Sequence, residues 1–190
     1  PAVHSFAQVL LAVPIVTIGV NVFLISFFNL VDFPNKDVGI YFFVFLIMFE
    51  VALFFVTFGQ MLAAITPTPQ VAQIIAGGTT SLLFLFSGFL APLSEVPGWL
   101  VWIYYINPVQ YGVEALVTTV THCEDVATCV KTTVFTSSGA SVVPLGDFVE
   151  DFYDFKYDER VGDIFIVLGF LVLTILIKMY VQSKVRFESR

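Results

Sequence analysis

From residue 6 to residue 30 the chain runs without a charged side chain, and similar apolar runs follow over residues 38–65, 71–93 and 161–181. Each is roughly 20 residues or longer, enough to cross a hydrocarbon layer about 30 Å thick at about 1.5 Å per helical residue. In that layer every backbone N–H and C=O must be paired within the protein, which favours helices. Composition agrees with the pattern: 58% of the 190 residues are hydrophobic and only 12% charged, against about 25% charged in a soluble domain.

The punctuation between runs sets the architecture. Pro14 lies inside the first run, where a bundle more often accommodates a kink than a break. The polar residues Asp32 to Asp37 make a short turn. Pro67 and Pro69 close the second run, and so short a link makes the second and third helices antiparallel neighbours. Residues 94–121 are different in kind: Trp99, Trp102, Tyr104 and Tyr105 suit a headgroup-level belt, while the Asn107-Pro108 pair and Glu114 argue against a simple span. The expectation is an all-α membrane protein with four transmembrane helices and an external re-entrant helical hairpin over residues 96–120. An external loop over residues 121–160 then leads to the last span.

Charge placement gives the orientation. Half of the eight Lys and Arg residues (Lys178, Lys184, Arg186 and Arg190) lie at the end of the chain, and most of the fifteen acids lie between Glu124 and Asp163. The positive-inside rule puts the tail in the cytoplasm and the acidic region outside. Lys178, near the end of the last run, is expected to snorkel to the interface. The tail charges serve to fix topology, with contact to anionic lipid as the alternative. The chain begins at Pro1 without a charged n-region ahead of a short apolar core, so it reads as a piece of a longer protein and its first run as a span, not a signal peptide.

Several chemistries lack their residues. There is no G-x-x-x-x-G-K-[ST] phosphate loop, no Cys/His set with zinc spacing and no nucleophile beside a base. No catalytic site and no metal site are expected, and no basic patch supports nucleic-acid binding. Glu50, in the middle of the second run, is the sharpest residue, because an ionised carboxylate there costs about 2.5 kcal/mol or more. It is either a coupled or substrate-contacting group or a hydrogen-bonded packing residue. Gln60, Thr57 and Gln73 are read as interhelical hydrogen-bonding residues. Cys123 and Cys129 could bridge in an oxidising compartment or remain two thiols. The absence of an N-x-[ST] sequon argues against N-glycosylation. Aromatics interleaved through the acidic residues 147–159 suggest an amphipathic external element, with a solvated linker as the alternative.

The run Phe86-Ser-Gly-Phe-Leu-Ala-Pro-Leu-Ser-Glu-Val-Pro-Gly-Trp99, with Trp102-Ile-Tyr-Tyr-Ile-Asn-Pro108 and Tyr111-Gly-Val-Glu-Ala-Leu116, resembles the signature of the G subfamily of ABC transporters, pleiotropic drug resistance type. Ala7 to Pro14, Phe58-Gly-Gln-Met61 with Thr66-Pro67, Phe148 to Lys156 and Lys184 to Arg190 fit the same family and look like the end of the second ABC-2 type transmembrane domain. The resemblance implies a permease half of six helices, of which this chain holds the third to the sixth. It further implies ATP and Mg on nucleotide-binding domains outside this segment, a partner permease half, membrane lipid as surroundings and hydrophobic small molecules as cargo, in the plasma membrane. In such proteins the fifth helix lines the substrate path. Here that is residues 71–93, where Gln73, Ile74, Gly77, Thr80 and Phe84 share one stripe at helical spacing. The chain departs from the family at Ala12, where a Glu often precedes the first-span proline, and at Glu50, where the family usually has an apolar or hydroxyl residue. Glu50 could replace the missing carboxylate from a neighbouring helix. The expected function is the permease portion of an ATP-driven exporter of hydrophobic or amphipathic compounds. The alternatives are a lipid or polysaccharide export permease, or a non-transporting membrane scaffold; a membrane-embedded enzyme lacks the paired polar residues it would need.

Overall fold

A computed structural model describes residues 2–30, 38–90, 92, 96–122, 131–136 and 139–184. The possible Cys123–Cys129 bridge, the Asp32–Asp37 turn and the tail beyond Lys184 lie outside the described residues.

The apolar runs fold into long helices: α1 (Ala2–Leu30), α2 (Val38–Ile65) and α7 (Arg160–Lys184). These contain the three segments among the described residues that are long and apolar enough to cross a membrane. Polar side chains inside α1 bond back to their own helix. Thr17 donates to the Val13 carbonyl at 2.7 Å and Asn21 to the Thr17 carbonyl at 2.8 Å, so neither needs water at that depth.

The third run behaves differently. Its helix, α3, covers Pro69–Leu85, 17 residues, or about 25 Å at 1.5 Å per residue. It stops short of the end of the apolar run because Gly88 takes a left-handed backbone conformation, φ 85°. A Cβ there would sit 2.9 Å from the Tyr104 hydroxyl and 3.0 Å from the Phe155 ring, so glycine is needed for space as well as for φ.

Two short helices follow, α4 (Val101–Ile106) and α5 (Pro108–Thr121). Their junction is Asn107, 1% exposed. Its side-chain oxygen accepts from Val109 N at 3.0 Å and caps α5, with Pro108 in the first-turn position that proline favours. Its amide donates to the Leu83 and Phe86 carbonyls at 2.7 and 2.8 Å. Those carbonyls belong to the frayed end of α3, where backbone acceptors lack helical partners. One side chain thus closes one helix and opens another.

The expectation of an all-α chain needs one correction. Residues read as external loop contain an antiparallel hairpin, β1 (Lys131–Thr136) with β2 (Gly139–Pro144), paired Thr132 to Val143 and Val134 to Ser141. Thr132, Thr133, Val134, Val142 and Val143 supply the β-branched residues that suit strands. Helix α6 (Leu145–Tyr153) is amphipathic as expected, burying Val149. It ends at Asp154 in the left-handed region, φ 59°, and a short 3-10 turn (Tyr157–Glu159) leads into α7.

The core is a bundle of α1, α2 and α7. Ala12, Leu53, Phe54 and Leu171 form one buried cluster, and Val20, Leu24 and Val44 form another against which Leu116 and Val120 of α5 pack. Helix α5 lies close on α2: a Cβ at Gly112 would come 2.6 Å from Val51 Cγ2.

Candidate functional site

Helix α3 carries the stripe singled out in the sequence. Ala72 is buried, and Ala76, Thr79 and Leu83 are half-buried on the side toward α2 and α5. Of the expected stripe, Gln73, Ile74, Gly77 and Phe84 are exposed, Ile74 at 75%, and Thr80 is half-buried. Phe84 stacks on Phe55 of α2 with ring centroids 5.8 Å apart, so the end of the stripe also anchors α3. A Cβ at Gly77 or Gly78 meets nothing within 4 Å. The stripe is an apolar surface with a small step at the glycines and a single amide, Gln73, and this chain leaves most of it uncovered.

Glu50 lies on the buried face of α2 with Val44, Ile47, Leu53, Phe54 and Thr57. It is 7% exposed, and its Oε2 has no hydrogen-bond partner among the described residues. Leu53 and Phe54, the next turn of the same helix, share a cluster with Ala12. Glu50 thus lies one turn along α2 from the residues that pack against Ala12.

Lys178 corrects an expectation. It does not snorkel outward: it is fully buried and donates to Gln60 Oε1 at 2.5 Å. The cause is register. Val167, Leu171, Thr174 and Lys178 form the buried stripe of α7, so the Lys178 Cβ points at α2. One turn further on, Gln182 donates to Gln8 Oε1 of α1 at 3.3 Å. Gln60 is thus an interhelical hydrogen-bonding residue, whereas Thr57 bonds to the Leu53 and Phe54 carbonyls of its own helix.

At the opposite end of α7 the short helices build a second polar group. Gln110 donates to Glu114 Oε2 at 2.6 Å, and the backbone N–H of Lys156 donates to Glu114 Oε1 at 3.2 Å. Asp163, in the first turn of α7, is 5% exposed, and Glu114 is 6% exposed. The segment α4–α5 is not among the helices long enough to span. There burial holds the Glu114 carboxyl above its ordinary range despite those two hydrogen bonds, and pushes the Tyr104 hydroxyl up to about 12. Sequence reasoning noted Glu114 only as an obstacle to a span. The i, i+4 spacing of Gln110 and Glu114 was the available signal.

Nearby, the Tyr157 ring lies between His122, stacked at 3.5 Å, and the Arg160 guanidinium at 3.6 Å. The Lys156 ammonium is held above its ordinary range by Glu159 at 3.3 Å, an exposed pair that contributes little to stability. A cavity of about 410 Å³ opens beside them, lined by Thr118, His122, Asp147, Glu150 and Asp158 among others. It lies between the end of α5, helix α6 and the segment Phe155–Glu159, and no residue of the α3 stripe lines it. Trp99, Trp102 and Tyr105 at α4 are exposed, as a headgroup-level aromatic group would be.

The long apolar helices, with most of their surface uncovered, define a segment of an integral membrane protein. The chain belongs to the ABC-2 type transporter family, which matches residues 1–120. It is 30% identical over its whole length to ABC transporter G family member 49 of Oryza sativa subsp. japonica, covering 12% of that protein. It is 28% identical over 98% of its length to ABC transporter G family member 35 of Arabidopsis thaliana, again covering 12%. Over 114 residues, 60% of the chain, it is 34% identical to Pleiotropic drug resistance protein 1 of Nicotiana tabacum, covering 8% of it. The chain thus spans about one eighth of the length of the first two relatives and corresponds to part of their transmembrane region.

Proposed function

We propose that this chain is the third-to-sixth-helix portion of a permease half in an ATP-driven exporter of hydrophobic or amphipathic compounds. Nucleotide-binding domains elsewhere in the protein would hold ATP and Mg, and a second permease half would face this one. The observation that carries the reading is the α3 stripe: exposed Ile74, Gly77 and Phe84 beside one amide, Gln73, form a wall suited to apolar cargo with few polar groups to fix its orientation. A charged solute would want fixed counter-charges, and the stripe carries none.

In this reading α4 and α5 form a re-entrant hairpin on the outer side, and α3 is the remaining span, with Trp99 and Trp102 at headgroup level. The protein resides in the plasma membrane with the end of α7 in the cytoplasm, following the basic residues of the tail. Glu50 stands in for the carboxylate missing at position 12.

The test uses the full-length protein in lipid vesicles. Amphiphiles are expected to stimulate ATP hydrolysis and to accumulate in an ATP-dependent manner, and Gly77→Phe is expected to shift the cargo profile. Absence of stimulation across a broad amphiphile panel would instead favour a scaffold. Glu50→Gln with unchanged folding and transport would remove the assignment of Glu50.

A further inference from the structure

Helix α6 carries an apolar face that the folded chain leaves partly open. Leu145, Phe148, Val149, Phe152 and Tyr153 recur at helical spacing, and Asp147, Glu150 and Asp151 take the other side. Val149 is buried, whereas Phe152 is 49% exposed. Phe148 and Phe152 stack with centroids 5.4 Å apart, and Phe152 meets Tyr153 edge-on at 4.9 Å. The three rings therefore form one patch, and an open aromatic patch marks a contact surface.

The position of α6 in the fold says what covers it. Its first turn rests on the end of α5, where a Cβ at Gly146 would lie 3.1 Å from the Thr121 carbonyl oxygen. Its last turn reaches the chain just beyond α3, where Tyr153 stacks on Phe89 at 5.7 Å. Phe89 and Leu90 are exposed, and they extend an apolar surface that begins with exposed Leu82 and Leu85 of α3. A few residues after α6 the chain enters α7, which exposes Val161 and Phe165 at its start. The patch thus adjoins two helix ends whose bare apolar surfaces fit hydrocarbon. That is the depth at which aromatic rings settle among headgroups.

Charge selects the leaflet. Asp147, Glu150 and Asp151 are exposed, and α6 contains no Lys or Arg. Interfacial helices on anionic membranes are usually rich in Lys and Arg, so an acidic polar face fits an uncharged, zwitterionic surface instead. We propose that α6 is an interfacial helix, lying in the headgroup layer of a zwitterionic leaflet with the Phe148 and Phe152 rings against lipid. It adds a lipid contact to those of Trp99 and Trp102, and it ties the start of α7 to the membrane surface. The proposal depends on neither cargo nor direction of transport.

The experiment places the photoreactive residue p-benzoylphenylalanine at Phe152, Trp102 or Glu150 of the full-length protein, in vesicles of dioleoyl phosphatidylcholine. Irradiation and peptide mass spectrometry then separate lipid adducts from cross-links to protein. Lipid adducts are expected at 152, as at 102, and none at 150 on the acidic side. Replacing part of the phosphatidylcholine with phosphatidylserine should lower the yield at 152. Should the label at 152 prevent folding, Phe148 carries the test. Adducts at 102 with none at 152 overturn the proposal and leave the placement of α4 intact. Cross-links from 152 to another part of the protein also overturn it, since they would make the patch a protein interface. Adducts at neither position remove both placements, and a yield at 152 that rises with phosphatidylserine overturns the choice of headgroup.

Discussion

Asn107 should be among the most costly polar side chains to remove. It is 1% exposed and makes three hydrogen bonds: to Leu83 O at 2.7 Å, to Phe86 O at 2.8 Å and from Val109 N at 3.0 Å. Asn107→Ala loses an N-cap, about 1 kcal/mol, and leaves two acceptors unpaired at about 1–3 kcal/mol each. Allowing for relaxation, the expected loss is about 3–4 kcal/mol. Asn107→Asp separates the two roles. A carboxylate still caps Val109 N–H, yet it turns an acceptor toward two carbonyls that were receiving donors. It should therefore be at least as destabilising as Ala, although Asp is ordinarily as good an N-cap as Asn. The assay is equilibrium unfolding of the full-length protein in mild detergent, with accessibility of a cysteine placed at Ser87 reporting release of the α3 end. An Asn107→Asp variant as stable as the wild type would refute the donor role and with it the double-cap argument.

Two other substitutions test the packing. Gly112→Ala places a Cβ 2.6 Å from Val51 Cγ2 and should cost about 1–3 kcal/mol by overpacking; Val51→Ala in the same chain should return most of it, read as a coupling in a double-mutant cycle of unfolding midpoints. Gln60→Leu leaves the buried Lys178 ammonium without its 2.5 Å acceptor and should cost about 3 kcal/mol, whereas Gln60→Leu with Lys178→Met removes the buried charge and should recover most of that loss. Equal losses in the single and double variants would show that the amide does not support the ammonium.

The long helices were legible because hydropathy alone specifies them: α1 and α2 need no information beyond their uncharged runs, and α7 needs little more. The end of α3 was not legible from hydropathy, since residues 86–93 are nearly as apolar as those before them. What stops the helix is the φ of Gly88 and the reach of Asn107 across 24 residues, a tertiary contact that no local pattern contains. The β-hairpin was missed because Thr132 to Ser141 reads first as a polar tract, and its β-branched residues signal a strand only once a partner is found. Lys178 was misplaced for another reason. Its position near a helix end suggested snorkelling, but the period that runs through Leu171 and Thr174 decides the face on which it falls. The α3 stripe could be written down from spacing. That the chain would leave it uncovered depended on which side α2 took.

The placement of polar groups has a consequence for how the helices are held. Within lipid, apolar side chains gain little by leaving one greasy neighbour for another, so helix association rests on close packing and interhelical hydrogen bonds. Here α2 and α7 are joined by Gln60 and Lys178, α1 and α7 by Gln8 and Gln182, and α5 is pressed onto α2 at Gly112. Helix α3 has a different kind of attachment. Its Gln73 end is exposed, its middle offers Gly77 and Gly78 with nothing against them, and its firm contacts collect near Leu83, Phe84 and Phe86, where Asn107 and Phe55 hold it. At its other end α3 is tied to α2 by the short 66–68 link and by buried Ala72, so its hydrogen-bonded grip is at Asn107 and its remaining attachment is packing. The bundle of α1, α2 and α7 is held differently, since its cross-links fall at the Lys178 end and its packing at the other. The difference comes from where a handful of polar side chains fall, not from any difference in how apolar the helices are.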